Sequence, residues 1–242
     1  IDRDTPLPSA DSLLASPKAD GVRYLLCLCV DDLGRPIATL VNRASEAFSV
    51  RVAAPESWFR LGCVFDGEMC ALKNGRNAYL VFNVLCFRGD HLFHRSYRDR
   101  VACMARAVPA EVLSTEGERR TFGSCVLTSA SDDFDIVAKP VWPACELREL
   151  LKQQLPYDTD GVVLTPLDGG MCTGRNDRIL KCKWDNTIDV WLSVRQDNTY
   201  ELVAADKGRP VPLRDVMLHT FVFDEVLQSI VRGFRLLRKL LK

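Results

Sequence analysis

The stretch Pro17-Lys18-Ala19-Asp20-Gly21-Val22-Arg23 decides how this chain is read, because it puts a lysine beside an Asp-Gly pair at the head of a strand-like run. A lysine attacks phosphorus only as the neutral amine, and a free ammonium loses its proton near pH 10.4, so burial or a neighbouring cation has to favour the neutral form. Pro17 stiffens the approach, Gly21 permits close approach of the backbone to a ligand, and Arg23 offers a fork of donors for sugar or phosphate oxygens. Taken alone, the same seven residues also describe a surface turn that happens to contain a lysine.

Four further segments follow downstream. Phe65-Asp66-Gly67-Glu68 and Thr159-Asp160-Gly161-Val162-Val163 place carboxylates beside glycines at strand ends, where they can hold a ribose hydroxyl or a divalent metal. Tyr79 to Gly89 carries Phe82 in an apolar strand, either a core aromatic or a flat ring for a purine. Leu180-Lys181-Cys182-Lys183-Trp184 puts two lysines on one face of a strand, either a wet surface or a pair of point charges for phosphate oxygens. Glu68 taken singly also reads as an edge-strand carboxylate. The order of the five segments is what a chance match does not supply.

As an ordered set they resemble the motifs of the covalent nucleotidyltransferases, which comprise DNA ligases, RNA ligases and mRNA capping enzymes. Thr159-Asp160-Gly161 followed by two aliphatics, and the tail Asn186-Thr187-Ile188-Asp189 after the paired lysines, resemble the capping guanylyltransferase in particular. The resemblance covers about Pro17 to Val194. It implies an α+β, DNA-ligase-like (ATP-grasp-like) nucleotidyltransferase domain over residues 1–194, built mostly of antiparallel sheets with flanking helices.

The resemblance implies Lys18 as the nucleophile that forms a lysyl–GMP phosphoramidate. Arg23 and Glu68 would then contact the ribose, Phe82 would stack on the purine, and Lys181 and Lys183 would hold the α-phosphate. Arg43, in Leu40-Val41-Asn42-Arg43, would lie near the phosphates, and Lys139, in Val137-Ala138-Lys139-Pro140-Val141-Trp142, near the guanine. Asp160 and Glu68 would hold Mg²⁺ or Mn²⁺. The substrates implied are GTP and a 5′-diphosphate RNA end, with an RNA triphosphatase and a cap methyltransferase as fused or associated enzymes. The same resemblance leaves two alternatives: an ATP-dependent polynucleotide ligase, and an inactive module of this fold that binds RNA or a partner.

The chain departs from the family pattern in three places. Asn83 stands where an aspartate usually follows the aromatic, and Cys182 lies between the two lysines. The Arg-x-Asp-Lys-like motif that ends the family's OB domain is absent, since Arg214-Asp215 is followed by Val216. Residues 195–242 are therefore expected to be a C-terminal segment replacing or reducing an OB domain, with an amphipathic helix over Leu213 to Lys242.

Bulk properties set the remaining bounds. Lysine plus arginine equals aspartate plus glutamate at 32 each, so net charge offers no argument for a nucleic-acid partner. Ten cysteines, several inside apolar runs, read as small buried hydrophobes of a reducing compartment rather than as a disulfide or zinc framework. An intracellular location follows, in a nucleus or at a cytoplasmic viral replication site. No apolar run has the length of a membrane span, and a first residue of Ile1 suggests a piece of a longer polypeptide.

Local patterns predict the elements. Residues 1–17 read as a lead-in with one helical turn, followed by strands at Val22–Val30, Pro36–Val41, Phe48–Val52, Gly62–Leu72 and Ala78–Phe87. Lys73-Asn74-Gly75 predicts a type I′ hairpin. Helices are expected over Leu92 to Val108 and Ala144 to Leu155, loop and edge strand over Pro109 to Asp133, and strands at Gly161–Thr165, Ile179–Trp184 and Thr187–Val194.

Overall fold

The computed structural model describes residues 9–109, 127–130, 133–172, 174 and 176–184, together with the strand backbones 190–194, 200–206 and 209–212. Its backbone divides into two compact units, residues 1–185 and 186–242.

The first unit opens on β1 (Leu13–Ala19), β2 (Val22–Val30), β3 (Pro36–Asn42), β4 (Ala47–Val50) and β5 (Val52–Ala53), then α1 (Glu56–Leu61). It continues through β6 (Cys63–Ala71), β7 (Asn77–Phe87), β8 (Asp90–His91), α2 (Tyr97–Ala107), β9 (Thr128–Ser129), β10 (Asp135–Ala138) and β11 (Trp142–Pro143). α3 (Leu147–Leu151), β12 (Thr159–Pro166) and β13 (Leu180–Lys183) complete it. A seven-stranded sheet runs β10-β7-β6-β2-β3-β4, with β8 beside β7, and a four-stranded sheet runs β11-β1-β12-β13. Of the pairings in these two sheets, only β10 with β7 is parallel.

Hairpin chemistry builds the large sheet. Between β2 and β3 the Asp31 carboxylate accepts from the backbone N–H groups of Leu33 and Arg35 at 2.9 and 2.8 Å, and Gly34 takes a φ of 74°. Between β6 and β7 only Gly75 has positive φ, and the Asn74 side chain accepts from the Arg76 N–H at 3.1 Å. The expected type I′ turn is therefore replaced by a right-handed turn closed by a left-handed glycine, because three residues rather than two lie between Leu72 and Arg76, whose backbones are hydrogen-bonded at 2.7 Å.

One face of the large sheet buries Leu26, Leu28, Leu40, Phe65 and Tyr79 against Cys103, Met104 and Ala107 of α2. Full burial of a leucine or phenylalanine contributes ~1.5–3 kcal/mol, and Leu26, Leu28 and Phe65 of this layer are at most 1% exposed. On its own outer side the small sheet packs Ala15 and Val162 against Leu150 of α3. A third cluster joins Ala19 and Tyr157 to Cys70, Leu72, Ala78, Leu80 and Val137 of the large sheet, and pins the end of β1 against it.

Several expectations are corrected. The lead-in is a strand from Leu13 onward, masked in sequence by Ser16 and Pro17, and its partner β12 lies some 140 residues away, with Lys18 opposite Gly161 and Leu13 opposite Pro166. α2 begins at Tyr97, capped by Ser96, whose hydroxyl accepts from the Asp99 N–H, so residues 92–96 are not helical. The second helix shrinks to Leu147–Leu151. α1 and β10 were not expected; they are too short to show a period. Cys29 is exposed rather than buried, since β2 has only one covered face there.

The second unit contains an antiparallel meander of β14 (Val190–Val194), β15 (Tyr200–Asp206) and β16 (Arg209–Pro212). The amphipathic helix read over Leu213 to Lys242, and most of the segment 110–133, lie outside the described residues.

Candidate active site

Two rows of residues cross the small sheet. Lys18 on β1, Gly161 on β12 and Lys183 on β13 lie in register, and Ser16, Val163 and Lys181 form the next row on the same face. Period-two alternation thus collects three lysines on one face of three short strands. The strands can approach so closely because the middle residue is glycine. A Cβ on Gly161 would sit 2.0 Å from the Cys182 carbonyl oxygen, and its φ of 156° is one that side-chain-bearing residues avoid.

Asp160 neighbours this row. Its carboxylate accepts from the Lys18 Nζ at 2.6 and 2.5 Å, and Lys183 Nζ lies 3.7 Å away. Burial pushes this carboxyl up, but the Lys18 hydrogen bonds and the charges of Lys18 and Lys183 outweigh it and hold it below the usual range. Asp160 is therefore an anion at neutral pH. The pair is open, with the Lys18 and Asp160 side chains 21% and 35% exposed, so a ligand can reach and replace either partner.

The facing surface comes from the large sheet. Glu68 is half-buried on β6, and desolvation raises its carboxyl against the pull of Lys139, Lys18 and Lys181, while Asp160 adds to the rise. Lys139 follows directly on β10 and is 5% exposed. Burial lowers its ammonium to about 8, with Lys18 and Lys181 adding to the fall and Glu68 and Cys70 opposing it. Its Nζ stands 5.2 Å from the centre of the Phe82 ring, and the Arg23 guanidinium stands 5.9 Å from the same ring. Phe82 is thus a ring with cations near it at the cleft rather than a core aromatic.

Two residues sit differently from the expectation. Arg23 donates through Nε and Nη2 to the Asp66 carboxylate at 2.7 and 2.6 Å, so its fork already has a partner. Asp66, 1% exposed, went unassigned in the sequence although it lies in the Phe65–Glu68 segment; its alternation with Glu68 on one face of β6 was the available signal. Arg43 is exposed and lies near enough to Asp66 to lower that carboxyl, without a hydrogen bond to it. Gly21 makes its close approach to the neighbouring strand, since a Cβ there would lie 2.4 Å from the Met69 carbonyl oxygen.

Asn83, where a carboxylate was looked for, has a packing partner instead. Its side-chain oxygen accepts from Nε of the buried Arg100 at 2.9 Å, and Arg100 also donates to the Arg95 and Gly169 carbonyls. This cluster ties β7 to α2 and to the loop after β12.

Among the described residues no three histidine, cysteine, aspartate or glutamate side chains converge on a metal position. The two carboxylates Asp160 and Glu68 fit an ion of the magnesium type, which takes one or two carboxylates and completes its shell with phosphate oxygens and water. An apolar cavity of about 370 Å³ lined by Leu13, Leu14, Arg98, Val101, Val141 and Pro143 shares no residue with the lysine–carboxylate cluster. Among the described residues the cluster is the candidate site, because it combines cations, carboxylates and an aromatic ring.

Residues 7–185 match the family described as mRNA capping enzyme, catalytic domain. Among solved structures, a mycobacterial DNA ligase D complexed with ATP and MES is similar at 16% identity and a TM-score of 0.44, covering 83% of this chain and 65% of that one, under two thirds of its length. The ligase domain of LigD from M. tuberculosis is similar at 15% identity and a TM-score of 0.43, covering 90% of this chain and 71% of that one. A Lig E DNA ligase is similar at 14% identity and a TM-score of 0.44, with 85% and 78% covered.

Proposed function

Because the chain belongs to the mRNA capping enzyme catalytic-domain family, we propose that it is a GTP:mRNA guanylyltransferase whose nucleophile is Lys18. The observation that carries this reading is the row Lys18–Gly161–Lys183 with Asp160 on the Lys18 ammonium, facing Glu68, Lys139 and Phe82.

In the resting arrangement the Lys18 Nζ donates to the Asp160 carboxylate beside the place where phosphates would lie. When the triphosphate of GTP enters, Lys181 and Lys183 offer two point charges to its α-phosphate oxygens. Lys18 gives one proton to water, its Nζ lone pair forms a bond to the α-phosphorus, and the nitrogen gives a second proton to water as the phosphoramidate N–H forms. The bond from that phosphorus to the bridging oxygen breaks in line, and pyrophosphate leaves. A terminal oxygen of a 5′-diphosphate RNA end then attacks the same phosphorus and frees the lysine amine. Mg²⁺ or Mn²⁺ held by Asp160 and Glu68 together with the phosphates would offset the charge that gathers on the oxygens.

The preference for guanine is supported by Lys139. A buried ammonium has donors and no acceptor, so it suits the C6 carbonyl of guanine and opposes the C6 amino group of adenine. Phe82 supplies the stacking surface. An RNA triphosphatase would supply the diphosphate end and a cap methyltransferase would consume the product, inside the cell, in a nucleus or at a cytoplasmic viral replication site. No helix among the described residues is long and apolar enough to cross a membrane.

Incubation with α-³²P-labelled GTP and magnesium or manganese tests the reading. The chain is expected to take up covalent label that is stable to alkali and labile to acid, as a P–N bond is, and Lys18→Ala to take up none while still folding. Label from ATP in place of GTP would reject the capping assignment in favour of a ligase, and no label from either would leave an inactive binding module.

A further inference from the structure

On the guanylyltransferase reading the chain handles two bases, and the residues assigned above receive only one of them. Phe82 is offered to the base of GTP at the large sheet, with Lys139 and Arg23 beside it. The acceptor RNA brings a second base, joined through its ribose to the diphosphate that attacks. In-line displacement fixes where that diphosphate has to lie. Pyrophosphate leaves from the side of the phosphorus opposite the Lys18 nitrogen, so the RNA diphosphate enters from that same side. As its terminal oxygen bonds to phosphorus the P–N bond breaks, and the Lys18 nitrogen keeps the electron pair and takes a proton from water.

The lysines that would hold these phosphates stand at the border of the small sheet. In the order β11-β1-β12-β13, Lys181 and Lys183 lie on the terminal strand, and no described strand pairs with its outer edge. Trp184 follows Lys183 directly and is tied to β12 by its backbone N–H, which donates to the Asp160 carbonyl at 3.1 Å. Its Cα is thus about 3.8 Å from that of Lys183, so the ring stands one residue beyond the phosphate contacts. The side chain is 54% exposed, whereas Trp58 is buried and Trp142 half-buried. Tryptophan is seldom left so open. Phe48 and Phe93 are exposed as well, yet neither adjoins a candidate site residue in the chain or across a strand pair.

We propose that the Trp184 indole is a stacking platform for the first base of the acceptor RNA; this rests on the guanylyltransferase reading above. Every base has a π face, so stacking on an aromatic ring tolerates any sequence and serves an acceptor whose first base varies. The lysine pair grips the diphosphate and the indole grips the base beyond it. An acceptor with a base is therefore held at two points, and a bare diphosphate at one.

The test uses the whole chain and two acceptors that share a diphosphate and differ in the base. Lysyl–GMP formed from labelled GTP is discharged either by a 5′-diphosphate oligoribonucleotide, which yields capped RNA, or by inorganic pyrophosphate, which regenerates GTP. In Trp184→Ala the half-saturating oligoribonucleotide is expected to rise roughly tenfold, while half-saturating pyrophosphate, and GTP for adduct formation, keep their wild-type values. Trp184→Phe retains a ring and is expected to stay within about threefold of wild type for the oligoribonucleotide. Unchanged oligoribonucleotide saturation in Trp184→Ala, an equal rise for pyrophosphate, or a phenylalanine variant as impaired as the alanine one each overturns the assignment while leaving the enzyme a guanylyltransferase. A wild-type chain that takes no label from GTP, or passes none to the oligoribonucleotide, overturns the guanylyltransferase reading and this assignment with it.

Discussion

Two ion pairs sit in the same cleft and are built in opposite ways. Arg23 and Asp66 lie on adjacent strands of the large sheet, with the carboxylate fully buried and both of its oxygens taken by one planar fork. Lys18 and Asp160 lie on adjacent strands of the small sheet, with both side chains partly in solvent and a second cation 3.7 Å from the same carboxylate. Burial pushes the Asp66 carboxyl up while Arg23, Arg43 and Lys139 pull it back; at Asp160 the neighbouring lysines prevail over burial. A guanidinium that keeps its proton is matched to a buried anion, and the amine proposed as nucleophile is matched to an open one. The first pair fixes the floor of the cleft, and the second is left free to exchange partners.

Removing the cation from each pair is the strongest way to break this comparison. Arg23→Met strands a buried carboxylate and is expected to cost about 3 kcal/mol. Lys18→Met leaves Asp160 in contact with water and Lys183, and is expected to cost under about 1 kcal/mol. Urea denaturation of both variants measures the difference. Equal losses would mean that the two pairs are structural alike, and that the openness of Lys18 has no part in its chemistry.

What the sequence reveals divides along the same line. The candidate site residues could be named from sequence because they lie in short contiguous segments, such as Thr159–Val163 and Leu180–Trp184, whose spacing alone sets a face. Their partners were not, because Arg23 meets Asp66 and Lys18 meets Asp160 only through strand register, and register between residues 18 and 160 has no local signature. The strand carrying Lys18 was hidden for a related reason. Leu13 to Ala19 has a serine and a proline where an amphipathic strand would show alternation, and both turn out to be buried. The large sheet was easier to read, since Asp31–Gly34 and Lys73–Gly75 mark its hairpins chemically. Its β10 edge was not, as a four-residue parallel strand carries neither hairpin nor period.

Lys139 sharpens the comparison, being a buried cation with no anion bonded to it. In the folded chain it gives up its proton near pH 8, against 10.5 when unfolded. The unfolded state holds the extra proton between those values, so stability rises with pH across that window. Below pH 8 the burden is constant. Lys139→Met is accordingly expected to be more stable than wild type by about 1–3 kcal/mol at pH 7, with the advantage fading between pH 8 and 10.5. The same variant should bind GTP less tightly. A variant less stable than wild type at pH 7 would show instead that Lys139 is paired in solution.

Tyr157 offers the mildest and most local test. Its ring belongs to the cluster that pins β1 against the large sheet, and its hydroxyl is buried with no hydrogen-bond partner among the described residues. Burial raises it, and Cys70 and Glu68 add to the rise, so it stays a neutral phenol. In the cleft a polar group such as the Lys139 ammonium has the proposed nucleotide to meet. In this cluster the Tyr157 ring packs with Ala19, Cys70, Leu72 and Leu80, and deleting the hydroxyl should remove a desolvation cost while leaving the ring's packing intact. Tyr157→Phe is therefore expected to leave stability unchanged or to raise it by up to about 1 kcal/mol, and to leave GTP half-saturation where it was. A loss of stability would mean that the hydroxyl bonds to internal water. A loss of GTP affinity without loss of stability would move the boundary of the nucleotide site from Glu68 to Tyr157.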